Sequence, residues 1–92
     1  MPTSKKASTF LSTPLSDVVS LSQVPGVGTA TLERLARHQI LSVQQLLGRF
    51  LMLDRDTEAM VQWLHAACSV RRREATVTSE ALFAKMERMA VL

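Results

Sequence analysis

The residues with the clearest chemical potential are Gly26-Val27-Gly28, with Thr29 and Ala30 behind them. No side chain in this run offers acid–base or nucleophilic chemistry, so what it offers is backbone amides. Gly26 and Gly28 can take φ > 0 and let another backbone approach closely. Val27 between them is expected to turn inward and pin the turn to the core. The amides of Gly26, Val27, Gly28, Thr29 and Ala30 then lie near the positive end of the helix that follows, where a phosphate binds well. Such contact reads no base, so DNA binding at this turn would be sequence-independent.

The neighbouring segments must position that turn. Asp17–Gln23 has room only for a short helix. Thr31–His38 places Leu32, Leu35 and Ala36 at helical spacing. A short helix, a Gly-hydrophobic-Gly turn and a second helix make the pattern of a helix-hairpin-helix. A plain glycine turn between two packed helices has the same short pattern, so the rest of the chain has to decide.

The whole chain of 92 residues, 47% apolar, supplies one small core and is read as a single domain over 1–92. A domain this small buries a limited share of its surface, so a dimer interface would help it. No apolar run reaches the ~18 residues of a membrane span, and Lys5-Lys6 precede no apolar stretch of a secretory signal. The single cysteine, Cys68, excludes an intrachain disulfide and fits a reducing compartment. A net charge of +3 permits nucleic-acid binding without demanding it. Phe10, Phe50, Phe83 and Trp63 are the only aromatics, a poor supply for stacking single strands.

Pro2 and Pro14 bracket a short helix carrying Ala7, Phe10 and Leu11. Phe10 is expected to dock it, with Lys5 and Lys6 in solvent as a plain end or as a basic arm beside the hairpin. Ser42 and Gln45 form a capping box. The helix they open carries Val43, Leu46, Leu47, Phe50 and Leu51 on one face, widened by Met52 and Leu53. A helix so broadly apolar needs a cover beyond its own core. Gly48 in its middle is either merely tolerated or a point of close approach for another chain. Asp54 or Asp56 opens the next helix, where Met60, Trp63, Leu64, Ala67 and Cys68 share a face and Trp63 is expected in the core. Arg71-Arg72-Arg73 reads as a loop. Thr76 or Thr78 then caps a last helix with a stripe of Leu82, Phe83, Met86, Met89 and Ala90. No strand alternation and no repeat appear, so the expected fold is all-α, a compact bundle of five to six short helices.

Catalytic chemistry is lacking. His65 and Cys68 lie one turn apart, and His38 is the only further nitrogen ligand, short of the four that a structural zinc needs. Asp54, Asp56 and Glu58 are explained by capping. There is no nucleophile paired with a base and no nucleotide-hydrolase phosphate loop. No metal, cofactor or enzymatic activity is expected.

Taken together, these residues resemble the barrier-to-autointegration factor family over most of the chain. Ser-Leu-x-x-Val-x-Gly-Val-Gly (Ser20 to Gly28) is similar to that family's hairpin, and Leu46 to Asp56 resembles its most recognisable segment. Thr3-Ser4-Lys5-Lys6, Phe10, Trp63-Leu64, Cys68 and the closing helix keep its spacing. The resemblance implies a SAM-like helical homodimer in which each protomer holds the backbone of one double-stranded DNA, so that two duplexes are bridged. It implies DNA contacts at Ser4, Lys6, Gly26, Val27, Gly28, Arg34, Arg72 and Arg73, to which the hairpin amides add Thr29. It also implies a groove across the dimer, at Leu47, Gly48, Met52 and Leu53 of both chains, for LEM-domain proteins of the inner nuclear membrane, with lamin and histones as further partners and no direct membrane insertion. Phosphorylation at Thr3 or Ser4 would release DNA. The expected location is the nucleus, on chromatin and at the nuclear envelope, and also the cytoplasm.

The chain departs from the family pattern in places. Asp54-Arg55 stand where two lysines are usual, the 69–76 loop is longer, and the last helix lacks a Trp-Cys pair. Asp54 and the altered last helix motivate an alternative, a paralogue deficient in DNA binding that serves as an interaction or heterodimer subunit. A hairpin module detached from a repair enzyme or ligase would instead be a monomer. For the first reading, Gly26→Glu is expected to abolish DNA binding and leave the dimer intact.

Overall fold

Ser20 begins the ordered approach to the hairpin. Its hydroxyl accepts from the Ser22 amide at 3.1 Å, while Gln23 Oε1 accepts from the Ser20 amide at 2.9 Å. This reciprocal cap holds a single 3₁₀ turn, Leu21–Gln23, which stands in for the first helix of the hairpin. Another 3₁₀ turn, Leu15–Asp17, precedes it. The computed structural model describes residues 5–18 and 20–90, with only the backbone of Ala90. Its helices are α1 (Lys5–Ser12), α2 (Thr29–Ala36), α3 (Val43–Met52), α4 (Thr57–Cys68) and α5 (Arg72–Ala90). The fold is therefore all-α, as the sequence predicts.

α3 and α4 start where their side chains dictate. Ser42 Oγ accepts from the Gln45 amide at 3.1 Å. Gln45 Oε1 reaches the Leu41 amide at 2.6 Å rather than that of Ser42, so the expected box is displaced by one residue on its return side. Asp56, not Asp54, caps α4 through the Glu58 and Ala59 amides. Asp54 and Arg55 instead take left-handed conformations, φ 59° and 57°, and form the tight link from α3.

The last helix corrects the reading of the arginine run. Ser69 caps α4 in the left-handed region, and Val70, fully buried, donates to the Leu64 carbonyl at 3.0 Å. The chain reverses through Ser69, Val70 and Arg71. The Arg71 carbonyl then accepts the first bond of α5 from Ala75 at 2.8 Å. Arginine is a good helix former, so Arg72 and Arg73 lie inside the helix, and Thr76 and Thr78 are interior residues rather than caps.

One core joins these elements. Phe10, Val24, Val27, Leu35, Leu46, Phe50, Met60, Leu64 and Leu82 are among its buried members. α5 packs mainly on α4 and then on α1. Its inward stripe is Ala75, Thr78, Ser79, Leu82 and Lys85, all buried. Phe83 and Met89 of the expected stripe are exposed, and Met86 is half-buried. On α4, Ala67 departs from expectation, while Trp63 packs against the core at its edge. Ala67 is exposed, and Trp63 is half-buried, with the Arg49 guanidinium 4.7 Å from its ring centre and His38 against its edge.

Lys85 lies in the core, a placement that no apolar spacing in the sequence signals. Its Nζ donates to the Phe10 carbonyl at 2.7 Å and to the Thr13 carbonyl, and lies 5.2 Å from the Phe10 ring centre. Those carbonyls belong to the unsatisfied C-terminal end of α1, where a cation is favoured. Burial, and then the nearby Arg88 charge, push its pKa below the ordinary lysine value.

Candidate nucleic-acid interface

Val24, Pro25, Gly26 and Val27 make the turn. The Val27 amide donates to the Val24 carbonyl at 3.1 Å, and Gly26 sits at φ +84°. Proline second and a positive-φ glycine third is the type II arrangement. Val27 is buried, as expected, but its amide closes the turn and is not on offer to a ligand. Gly28 is the N-cap of α2 at φ −103°, a conformation open to any residue. Having no side chain, it caps none of the amides that follow. The first-turn amides of α2, from Thr29 on, have no acceptor within the helix.

Gly26 is fixed from below. A Cβ there would lie 2.4 Å from Thr78 Oγ1 and 2.7 Å from the Glu74 carbonyl. Thr78 Oγ1 also donates to the Pro25 carbonyl at 2.8 Å. The turn is thereby seated on the first turns of α5, and its outer side stays open. A Cβ on Gly28 would meet nothing within 4 Å.

Above the turn lies a cleft of about 320 Å³ lined by Gly26, Gly28, Thr29, Ala30, Thr31, Arg34, Arg71 and Glu74. It unites free helix amides with two guanidiniums, the equipment for holding a phosphate. Lys6 comes to the same region from α1, its Nζ donating to the Val27 carbonyl at 3.2 Å.

The structure thus brings together Lys6, Gly26, Gly28, Thr29 and Arg34. Arg72 and Arg73 are not in the cleft lining. Arg72 turns to α4 and donates to Gln62 Oε1 at 2.6 Å, and Arg73 is exposed. Arg71, the first residue of the run, lines the cleft in their place. Its signal was the helix start, since the residue before the first turn of α5 faces the hairpin. Ser4 and the modification candidate Thr3 lie outside the described residues.

The second candidate surface is on α3. Leu47 is buried in the protomer's own core. Gly48 opens onto empty space, Met52 is 74% exposed and Leu53 is half-buried. Gly48, Leu51 and Met52 share one outward face at i, i+3 and i+4.

His65 Nδ1 donates to the Val70 carbonyl at 2.9 Å, and His38 Nε2 to the Ala67 carbonyl at 2.8 Å. Cys68 is buried, which pushes its thiol pKa up against the smaller opposing pull of Arg49. Among the described residues no three His, Cys, Asp or Glu side chains converge to hold a metal ion, and no helix is long and apolar enough to cross a membrane.

A helical bundle that presents a glycine hairpin over a cleft of two arginines defines a helix-hairpin-helix protein of SAM-like fold. The chain belongs to the barrier to autointegration factor family, whose model matches residues 1–89. Membership suggests a DNA-binding, chromatin-associated and non-enzymatic protein. Comparison with curated proteins gives no match.

Proposed function

We propose that residues 1–92 act as one unit that binds double-stranded DNA without regard to sequence and pairs with a second copy, so that the dimer bridges two duplexes. The observation that carries this reading is the cleft in which Arg34 and Arg71 flank the uncapped amides of α2. Lys6 adds a third cation beside the turn. A backbone grip of this kind reads phosphates alone. Pairing is supported by the unpartnered apolar face of α3 around Gly48, Leu51 and Met52. A groove across the paired copies, formed by Leu47, Gly48, Met52 and Leu53 of both chains, is then the place for a LEM-domain partner, and the protein would act in the nucleus at the nuclear envelope, with lamin and histones nearby. Thr3 and Ser4 are proposed as phosphorylation sites that oppose DNA binding by adding negative charge near Lys5 and Lys6.

The experiment is a gel shift with two duplexes of unrelated sequence, coupled to light scattering. The expected result is equal affinity for both, slow-migrating bridged species and a dimeric mass. Gly28→Glu places a carboxylate over the α2 amides without disturbing packing, and should abolish the shift. Met52→Glu should lower the mass to that of one chain and remove the bridged species while single-duplex binding persists. Unchanged binding by Gly28→Glu overturns the hairpin reading; an unchanged mass for Met52→Glu overturns the pairing face.

A further inference from the structure

We infer that Glu74 is an electrostatic brake on the hairpin cleft, an affinity-setting residue that holds DNA binding below what its amides and arginines would otherwise give. The inference rests on the reading of that cleft as the phosphate site. Two independent observations carry it. Glu74 lines the cleft together with Arg34 and Arg71. Its Oε2 is sealed from solvent and has no hydrogen-bond partner. A buried carboxylate oxygen without a partner is a rarity that calls for a reason.

Local stability does not provide that reason. Glu74 lies in the first turn of α5, where a negative charge gains from the helix dipole. That gain needs neither a buried oxygen nor a position among the hairpin residues. The main chain fixes the placement instead, because the Glu74 carbonyl is the backbone atom nearest the vacant Cβ position of Gly26. The side chain therefore stays beside the turn. In the free protein its charge offsets part of the field of two guanidiniums. A phosphate seated on the α2 amides meets it as a like charge. The arrangement holds binding below what the amides and arginines would give alone.

The test is the affinity of Glu74→Gln for a short duplex, read by fluorescence anisotropy beside the parent chain. The isosteric amide keeps the shape and removes the charge. Binding should tighten about 3- to 10-fold at low salt, the difference narrowing as salt rises. Glu74→Ala should move the same way, with melting curves verifying that both variants fold. Equal affinity overturns the brake. Weaker binding also overturns it, since the carboxylate would then be orienting Arg34 and Arg71 in favour of the ligand. Gly28→Glu separates the two levels. Loss of binding there with no gain in Glu74→Gln defeats this inference alone, whereas normal binding by Gly28→Glu defeats the cleft reading and this inference with it.

Discussion

Thr78 Oγ1 donates a hydrogen bond to the carbonyl of Pro25 across 2.8 Å and 53 residues of chain. Thr78 is 1% exposed, so neither group has water as an alternative partner. A threonine in mid-helix usually turns its hydroxyl back to its own helix. Here it fastens the hairpin to α5. Thr78→Val keeps the shape and strands the Pro25 carbonyl. The expected loss is about 1–3 kcal/mol of stability, the range for leaving a buried polar group unpaired. Urea unfolding should show a lower midpoint with an unchanged slope, and duplex affinity should fall as the turn loosens.

The two hairpin glycines should respond in opposite ways. Gly26→Ala puts a methyl group 2.7 Å from the Glu74 carbonyl, at a φ of +84°. Both the contact and the conformation oppose it, and a loss of about 2 kcal/mol or more is expected. Gly28→Ala meets nothing within 4 Å at an ordinary φ and should stay within about 0.5 kcal/mol of the parent. The same contrast removes Gly26→Glu as a clean probe of DNA binding, because it would disrupt the seat of the turn as well as its charge. Thermal melts of the two alanine variants, run side by side, measure the difference.

Much of this arrangement was legible in the residues. The Pro-Gly-Val-Gly run, the Ser42 cap and the apolar spacing of Leu46, Phe50, Met60 and Leu64 each obey a local rule, and the structure follows them. Errors arose where a polar side chain found a distant partner. Thr78 and Lys85 face inward because Pro25 and Phe10, far away in sequence, offer carbonyls. No periodicity of hydrophobic residues registers such pairs. The arginine run reads as a loop because three charges look solvated, yet of the three only Arg71 lies outside α5, and it completes a reversal made with Ser69 and Val70. That misplaced start hid Arg71 and Glu74 from the cleft.

Lys85 should govern how α1 is held. Its Nζ serves carbonyls at the end of α1 that no helix amide can reach. Lys85→Met keeps length and apolar character while removing every donor. About 1–3 kcal/mol of stability should be lost, from carbonyls left unpaired. The loss should be local. Amide exchange should quicken across Lys5–Ser12 while α4 keeps its protection. Lys85→Arg, which restores donors, should recover part of it. Uniform protection in Lys85→Met would mean that Phe10 alone docks the helix.

Cys68 gives the protein a predictable dependence on alkaline pH. Burial holds its pKa above the ordinary thiol value of 9.0, against the smaller lowering effect of Arg49. The folded state therefore keeps the proton more tightly than the unfolded chain does. The stability from this linkage is fully present below about pH 9 and is lost as pH rises through the raised folded value. Cys68→Ala should flatten that part of the pH–stability curve, at the expense of a small cavity. The same burial protects the sulfur, since only thiolate reacts and only an opened structure exposes it. Labelling by a disulfide reagent at pH 8 should be on the order of 100-fold slower in the native protein than in urea. Rapid native labelling would place Cys68 at the surface and remove the basis for the pH effect.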